Sequence, residues 1–317
     1  MNYTEKDFEF VEIENEGFAG DYIKMPSFVT KLWLKSNVKK MRAMMGGESK
    51  DIAQRDIDVK EVNINGYARE TRVRVYTPEG KEKRSAMVFF HGGGWFAGSI
   101  DAVDDYCRAI ADRANCVVIN VDYDLAPEYK YPAGLEDCYL AVKWTFENGS
   151  CLNIDVDNII VSGDSAGGNY AAIISIMARE RKEFNISKQI LIYPATDLTA
   201  MDDESMGKQG KAFTDVLLDW YLKDKTMVSD KYVSPMLCDD LSNLPSTFIV
   251  VGGLDFLKES SLQYANKLDE AGNPVKFSLY QNTRHAFIDN TGNCPQAEAL
   301  IEEAKEFIQG AKEVIEG

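Results

Sequence analysis

Residues 158–180 run NIIVSGDSAGGNYAAIISIMARE, and the architecture of the whole chain follows from them. NIIVS is a short β-branched run of the kind that forms a strand buried on both faces of a parallel sheet. NYAAIISIMARE continues as a helix. Between the two lies Gly163-Asp164-Ser165-Ala166-Gly167-Gly168, so a serine sits on the bend of a strand-turn-helix unit. Such a bend needs small residues two positions before and two after the serine, because the chain folds back sharply and the helix packs close. The turn presents the Ser165 hydroxyl outward, and the helix N-terminus behind it aims free N–H groups toward a negative charge. As a bare pattern G-x-S-x-G is weak. In this setting it marks Ser165 as a candidate nucleophile.

Working outward, short β-branched runs alternate with helical stretches: DVKEVNI, TRVRVY, AMVFF, CVVINV, NIIVSG, QILIY, TFIVVG and VKFSLY. Eight strands are expected. Helical patterns lie at roughly 102–115, 133–147, 166–182, 257–271 and 296–314, giving the β-α-β alternation of a doubly wound, mainly parallel α/β sheet. The first two strands, separated by NGYARE, should form an antiparallel hairpin. The alternation fails between Tyr193 and Leu244, where TDVLLDWYLKDK is helical without a flanking strand, so an inserted cap is expected at about 197–230. The expected division is therefore an N-terminal segment, 1–50, and a catalytic domain, 51–317, carrying that insertion.

The N-terminal segment is charge-segregated: Glu5 to Asp21 holds seven acids and one lysine, and Tyr22 to Gly47 holds six basic residues and no acid. Phe28, Leu32, Val38, Met41 and Met45 recur at near-helical spacing beside Trp33, so residues 27–45 are expected to form one basic amphipathic helix. It should lie over the rest of the protein; docking on a membrane surface is the lesser alternative.

A serine nucleophile needs a proton acceptor, and the chain has only two histidines. His91 begins His91-Gly92-Gly93-Gly94-Trp95 directly after AMVFF. That run of bare backbone can converge N–H groups on a substrate oxygen. A phosphate-binding loop would continue with Lys-Ser/Thr, whereas Trp95-Phe96 follows. His285, in NTRHAF just past the last strand, should open at the carboxyl edge of the sheet near Ser165, which makes it the candidate base. For an orienting acid, Asp255 is preferred because TFIVVGGLD places it after the strand preceding that of His285, in the order Ser, Asp, His. Glu259 is the fallback. Asp164 adjoins the serine and is poorly placed to reach the far side of the imidazole.

Composition narrows the classes. The chain has 317 residues, 45% apolar and 27% charged, ample for a large core. Its net charge of -16 repels a phosphate backbone, so no nucleic-acid partner is expected. No apolar run reaches the length of a bilayer span and the start lacks a signal-peptide pattern, so stable membrane insertion is not expected and the expected compartment is cytoplasmic. The six cysteines have no C-x-x-C pair and should be reduced thiols. Two histidines cannot furnish a His-rich zinc site, and neither metal nor cofactor is expected. A homo-oligomer stays compatible with the sequence.

These residues carry a resemblance. The chain is similar to the hormone-sensitive-lipase-type branch of the α/β-hydrolases, which includes bacterial acetyl and carboxyl esterases. The likeness spans most of residues 55–315 and rests on HGGGW at 91–95, DYDLAPEYKYPAGLEDC at 122–138, GDSAGG at 163–168, YVSPML at 232–237, GGLDFLKE at 252–259 and HAF at 285–287. It implies a triad of Ser165, Asp255 and His285, an oxyanion hole of the Gly93, Gly94 and Ala166 N–H groups, a supporting role for His91 in that loop, and a cap built from the N-terminal segment and the 197–230 region. The implied activity is a serine carboxylesterase acting on small, fairly apolar acyl esters. Two departures stand out: Asp124 replaces the arginine of the usual DYRLAPE, and Phe256 follows Asp255 where D-P-L-R-D-E is common. GDSAGG is also similar to the GDSGG of chymotrypsin-like proteases, but those are β-barrels with the order His, Asp, Ser. An amidase or peptidase with the same triad, and a ligand receptor on the hydrolase fold, are the remaining alternatives. Receptors of that kind typically lack the base histidine.

Overall fold

The computed structural model describes residues 27–201 and 207–310. The acidic N-terminal stretch and the last residues of the helix expected to reach 314 lie outside them. Eight strands form one sheet: β1 (Ile57–Asn65), β2 (Glu70–Pro78), β3 (Arg84–Phe90), β4 (Val117–Asp122), β5 (Ile154–Asp164), β6 (Lys188–Ile192), β7 (Ser246–Gly252) and β8 (Val275–Tyr280). Their order across the sheet is β1-β2-β4-β3-β5-β6-β7-β8. β2 is antiparallel to both of its neighbours, and every pairing from β4 to β8 is parallel. The eight-stranded, mainly parallel sheet with its leading hairpin is the one expected from the apolar runs.

The central strands are apolar without alternation because helices cover both faces; Met87 to Phe90, Val117 to Ile119 and Phe248 to Val251 are all buried. Behind the middle of the sheet, α5 (Ala166–Arg181) is buried from Ala166 through Ala178. This accounts for AAIISIMA, a helix with no polar face. Parallel pairing aligns the carboxyl ends: Phe90 is in register with Val121 and Gly163, and Asp164 with Ile192. The loops after β3, β5, β7 and β8 therefore leave one edge together, where open α/β sheets bind ligands.

α3 (Asp104–Ala114), α4 (Ala133–Glu147), α7 (Lys258–Glu270) and α8 (Pro295–Gln309) complete the layers. The N-terminal helix is not continuous. It forms α1 (Ser27–Ser36) and α2 (Val38–Ala43), broken at Asn37, with φ -127° and ψ 32°. The Asn37 side chain donates to the Trp33 carbonyl at 2.7 Å. That local bond competes with helical pairing, and the apolar spacing that runs through Asn37 does not reveal it. α1 packs against α6 (Gly207–Tyr221), with Leu34 buried and lysines facing aspartates: Lys31 pairs with Asp215, and Lys35 with Asp219 at 2.6 Å.

Asp124, which stands where relatives usually have arginine, is buried. Arg69, from the turn between β1 and β2, pairs with it, with Nη2 2.6 Å from Asp124 Oδ1. All six cysteines are unpaired.

Candidate active site

Ser165 ends the β5-to-α5 turn with φ 53° and ψ -112°, a conformation costly for any residue with a side chain. Its N–H donates to Ile192 O at 2.9 Å, and its carbonyl accepts from Asn169 N at 3.0 Å and Ala195 N at 3.2 Å, so the strained backbone is held from both sides. The flanking glycines are dictated by contact. A Cβ at Gly167 would lie 1.9 Å from Phe90 O, and one at Gly163 2.4 Å from the Gly167 carbonyl carbon. Trp95, Tyr193 and Ala286 also have positive φ. Among the described residues, four of the eight non-glycine positions with positive φ therefore lie at or beside this serine's loops.

The glycine loop after β3 folds into a closed turn. Phe96 N and Ala97 N donate to Gly93 O at 3.2 and 2.9 Å. Gly93 has φ 116° and Gly94 φ 58°, and a Cβ on Gly93 would lie 2.2 Å from Ala97 O. Among the described residues the N–H groups of Gly93, Gly94 and Ala166 donate to no protein acceptor; that of Ala166 is at the first turn of α5, where helices leave donors free. Asp164 ties this loop to the serine turn, since its Oδ1 accepts from Gly92 N at 2.7 Å. Burial raises the Asp164 carboxyl above the usual carboxylate range, and the charge of Asp289 pushes the same way.

His91 lies under the loop, 1% exposed. Its Nδ1 is 2.8 Å from Gly92 O, its ring stacks on Tyr123 with centroids 4.2 Å apart, and Tyr123 donates to the His91 carbonyl at 2.7 Å. Burial holds this imidazole below its ordinary value. It is packed in the core against Tyr123 and the Gly92 backbone.

His285, on the loop after β8, has Nε2 2.9 Å from Ser165 Oγ and Nδ1 2.8 Å from Asp255 Oδ2. Asp255 sits on the loop after β7 with its side chain fully buried, and its Oδ1 accepts from Leu257 N at 2.8 Å. Burial alone would depress the His285 imidazole, but the charge and hydrogen bond of Asp255, together with the charges of Asp164 and Asp289, raise the pKa above the ordinary value. The structure separates the two candidate acids: Glu259 is exposed and accepts from Gln263 at 2.9 Å. The arrangement is chemically competent for proton transfer from a hydroxyl to an imidazole whose other nitrogen faces a carboxylate.

Three neighbours were not assigned to the site from the sequence. The rings of Tyr193 and Phe256 each lie 4.7 Å from the His285 ring, and the Asp289 carboxyl, raised by burial, acts on His285. Phe256 carried a signal as the departure beside Asp255. Tyr193 carried none, because only the fold brings it to the histidine, and Asp289, although four residues beyond His285, sits in no motif that marks it. No group of three or more metal-ligating side chains is assembled among the described residues, nor is any helix there long and apolar enough to cross a membrane.

A family model for the alpha/beta hydrolase fold matches residues 87–289, and the chain belongs to that family. An arylesterase of Saccharolobus solfataricus is 32% identical over 262 residues, covering 80% of this chain and 82% of that protein. A carboxylesterase of Mycobacterium tuberculosis, NlhH, is 34% identical over 243 residues, covering 74% and 76%. Among solved structures, a hyperthermophilic esterase from the archaeon Pyrobaculum calidifontis superimposes with a TM-score of 0.76 at 31% identity, covering 90% of this chain and 91% of that one. Within the family the protein falls in the hormone-sensitive-lipase-type branch, and it is a hydrolase with esterase function.

Proposed function

We propose that the protein is a serine carboxylesterase that cleaves small, fairly apolar acyl esters through an acyl-enzyme. The observation that carries this reading is the unbroken hydrogen-bonded series Ser165–His285–Asp255 at 2.9 and 2.8 Å. Ser165 Oγ attacks the ester carbonyl as His285 Nε2 takes its proton, while Asp255 holds the Nδ1–H tautomer and stabilises the imidazolium. The oxyanion is received by the N–H groups of Gly93, Gly94 and Ala166, with His91 and Asp164 holding the glycine loop in place. His285 then protonates the leaving alcohol, and water, activated by the same base, releases the acid.

The N-terminal segment 1–50 and the insertion at about 197–230 act as a cap on the catalytic domain 51–317. Leu217 of α6 supports this, because its Cδ1 lies 3.0 Å from where a Cβ on Gly94 would stand. The cap thus sets an apolar side chain over the oxyanion loop, which favours an apolar acyl group. Six unpaired cysteines support a reducing, cytoplasmic setting.

A panel of p-nitrophenyl esters from acetate to palmitate, run beside the corresponding anilides, tests the reading. Turnover concentrated on short esters, with kcat/KM falling for long chains and anilides, is the expected result. Anilide turnover equal to ester turnover would favour an amidase.

A further inference from the structure

Arg42 lies on α2, in the segment assigned above only to covering the site. Its guanidinium holds three groups at once. Nε donates to Phe96 O at 2.5 Å, Nη2 donates to Ala126 O at 2.8 Å, and Nη1 and Nη2 reach the Glu128 carboxylate at 3.1 and 2.6 Å. Phe96 belongs to the closed turn after β3, and Ala126 to the loop after β4. These two loops are already joined by Ala126 N donating to Trp95 O at 2.9 Å.

Two successive carbonyls of the turn, those of Trp95 and Phe96, are therefore held from outside, the second by the arginine. Inside the turn, Phe96 N and Ala97 N close on Gly93 O. A run of three glycines has no side chains with which to fix its peptide planes, and free glycine backbone samples many orientations. Pre-organised N–H groups are useful to catalysis only if they do not reorient as charge develops. The bracing must come through the carbonyl oxygens and the single Asp164 contact at Gly92. The Arg42 side chain is 26% exposed, so its charge-assisted bonds to the two carbonyls are partly shielded from water. Glu128, 48% exposed, forms a surface ion pair that contributes little by itself.

We propose that Arg42 is a positioning residue for the oxyanion hole: by bridging Phe96 O and Ala126 O from the N-terminal segment it fixes the Gly93 and Gly94 N–H groups, so that the hole is complete only when α2 is docked. This rests on the oxyanion reading given above. It differs from a simple cover in its consequence, because a cover governs substrate entry and ground-state binding, whereas a brace on the donors governs the rate of the chemical step. A lysine cannot replace the arginine, since a compact ammonium lacks the planar fork that spans two carbonyls.

The test uses the full chain with Arg42→Ala, Arg42→Lys and Glu128→Gln, and p-nitrophenyl butyrate as substrate. The readouts are kcat and KM separately and the inhibition constant of an aryl trifluoromethyl ketone, whose adduct with the serine bears the same oxyanion. Melting temperature is followed alongside. Losing one oxyanion donor outright costs ~10²–10³ in kcat, so a misaligned pair should cost at least ~10-fold. Both Arg42 variants should lose that factor in kcat with KM nearly unchanged, and ketone affinity should weaken in parallel. Glu128→Gln should stay within ~2-fold of wild type, in line with the small value of an exposed ion pair. Arg42→Lys keeps the charge beside Glu128 and so separates loss of the bridge from loss of the fold. Wild-type kcat in both Arg42 variants, or a change confined to KM, overturns the inference while leaving the esterase reading intact. A wild-type protein with no turnover and no ketone binding overturns both.

Discussion

The ring of Phe256 stands 4.7 Å from the ring of His285, tilted by 48°, while 46% of Phe256 remains exposed. An apolar side chain kept at the surface beside a titrating imidazole covers one flank of it, and Tyr193 covers another at the same distance. When His285 takes the serine proton it becomes a cation beside two aromatic rings, and a cation close to one ring gains ~0.5–2 kcal/mol. Phe256→Ala should therefore lower kcat/KM by ~2–30-fold, the range that this energy spans. Phe256→Leu should lose less, since it keeps the cover. Unaltered kcat/KM in the alanine variant would make the ring a bystander.

The pH profile follows from the direction of the His285 shift. The base works only when neutral, and Asp255 raises its pKa against the depressing effect of burial. Activity is thus present at alkaline pH and lost as pH falls through a midpoint above the ~6.5 of a free imidazole. His91, held low by burial, should not contribute a second acid limb. His285→Gln should leave only the residual ~10³–10⁴-fold advantage over water that binding and the oxyanion hole provide. Asp255→Asn should lower kcat by ~10⁴ through the wrong tautomer. A midpoint at or below the free value would mean that burial outweighs the carboxylates acting on the base.

What could be read from the sequence depended on how local each feature was. The strand, bend and helix around Ser165 occupy one continuous stretch, so motif and surroundings appeared together. The eight strands were visible for the same reason. Asp255 and Glu259 are four residues apart and share the order Ser, acid, His, so only the place of Asp255 just after the strand TFIVVGG ranked it first; the structure separates them by pairing Asp255 with His285 and leaving Glu259 exposed. The break at Asn37 was hidden because the apolar spacing continues through it, whereas the bond to Trp33 O that accompanies it is made by a single polar side chain. Tyr193 and Arg42 act across long stretches of chain, and no pattern around them announces it; Asp289 is close to His285 in the chain, but the burial that raises its carboxyl is set by the fold.

The glycines of the serine turn differ in what an alanine would meet, so they should differ in cost. A Cβ on Gly167 would lie 1.9 Å from Phe90 O, a backbone atom in the centre of the sheet. Gly167→Ala must push α5 off β3, and overpacking of a tight core costs ~1–3 kcal/mol or more. At Gly272, with φ 85°, the Cβ meets nothing within 4 Å. Gly272→Ala should cost only the ~1–2 kcal/mol of left-handed backbone. Urea midpoints should rank Gly167→Ala well below Gly272→Ala, and the reverse order would contradict the packing described for the turn.

The contact between α1 and α6 should respond to salt. Lys31 and Lys35 face Asp215 and Asp219, and Lys225 lies 3.1 and 3.0 Å from the same two carboxylates, so five charges alternate across the joint. The bond from Lys31 lowers the Asp215 carboxyl. Asp219 is lowered as well, although burial opposes the effect of Lys35 and Lys225. Both acids therefore stay charged throughout the neutral range. All five side chains are about one-third to one-half exposed, so each pair contributes at most ~1 kcal/mol and is screened by salt. Leu34, buried in the same contact, is indifferent to salt. Reversing both lysines, Lys31→Glu with Lys35→Glu, turns the attraction into repulsion without touching Leu34. The double variant should show faster proteolysis within residues 27–45 and lower kcat/KM at low salt. Both defects should recover partly near 0.5 M salt, where the Debye length falls to ~4–5 Å. Wild type should change in the opposite sense, losing a little of its resistance to proteolysis as salt rises. A double variant cleaved at the wild-type rate at low salt would show that apolar packing alone holds α1 on α6.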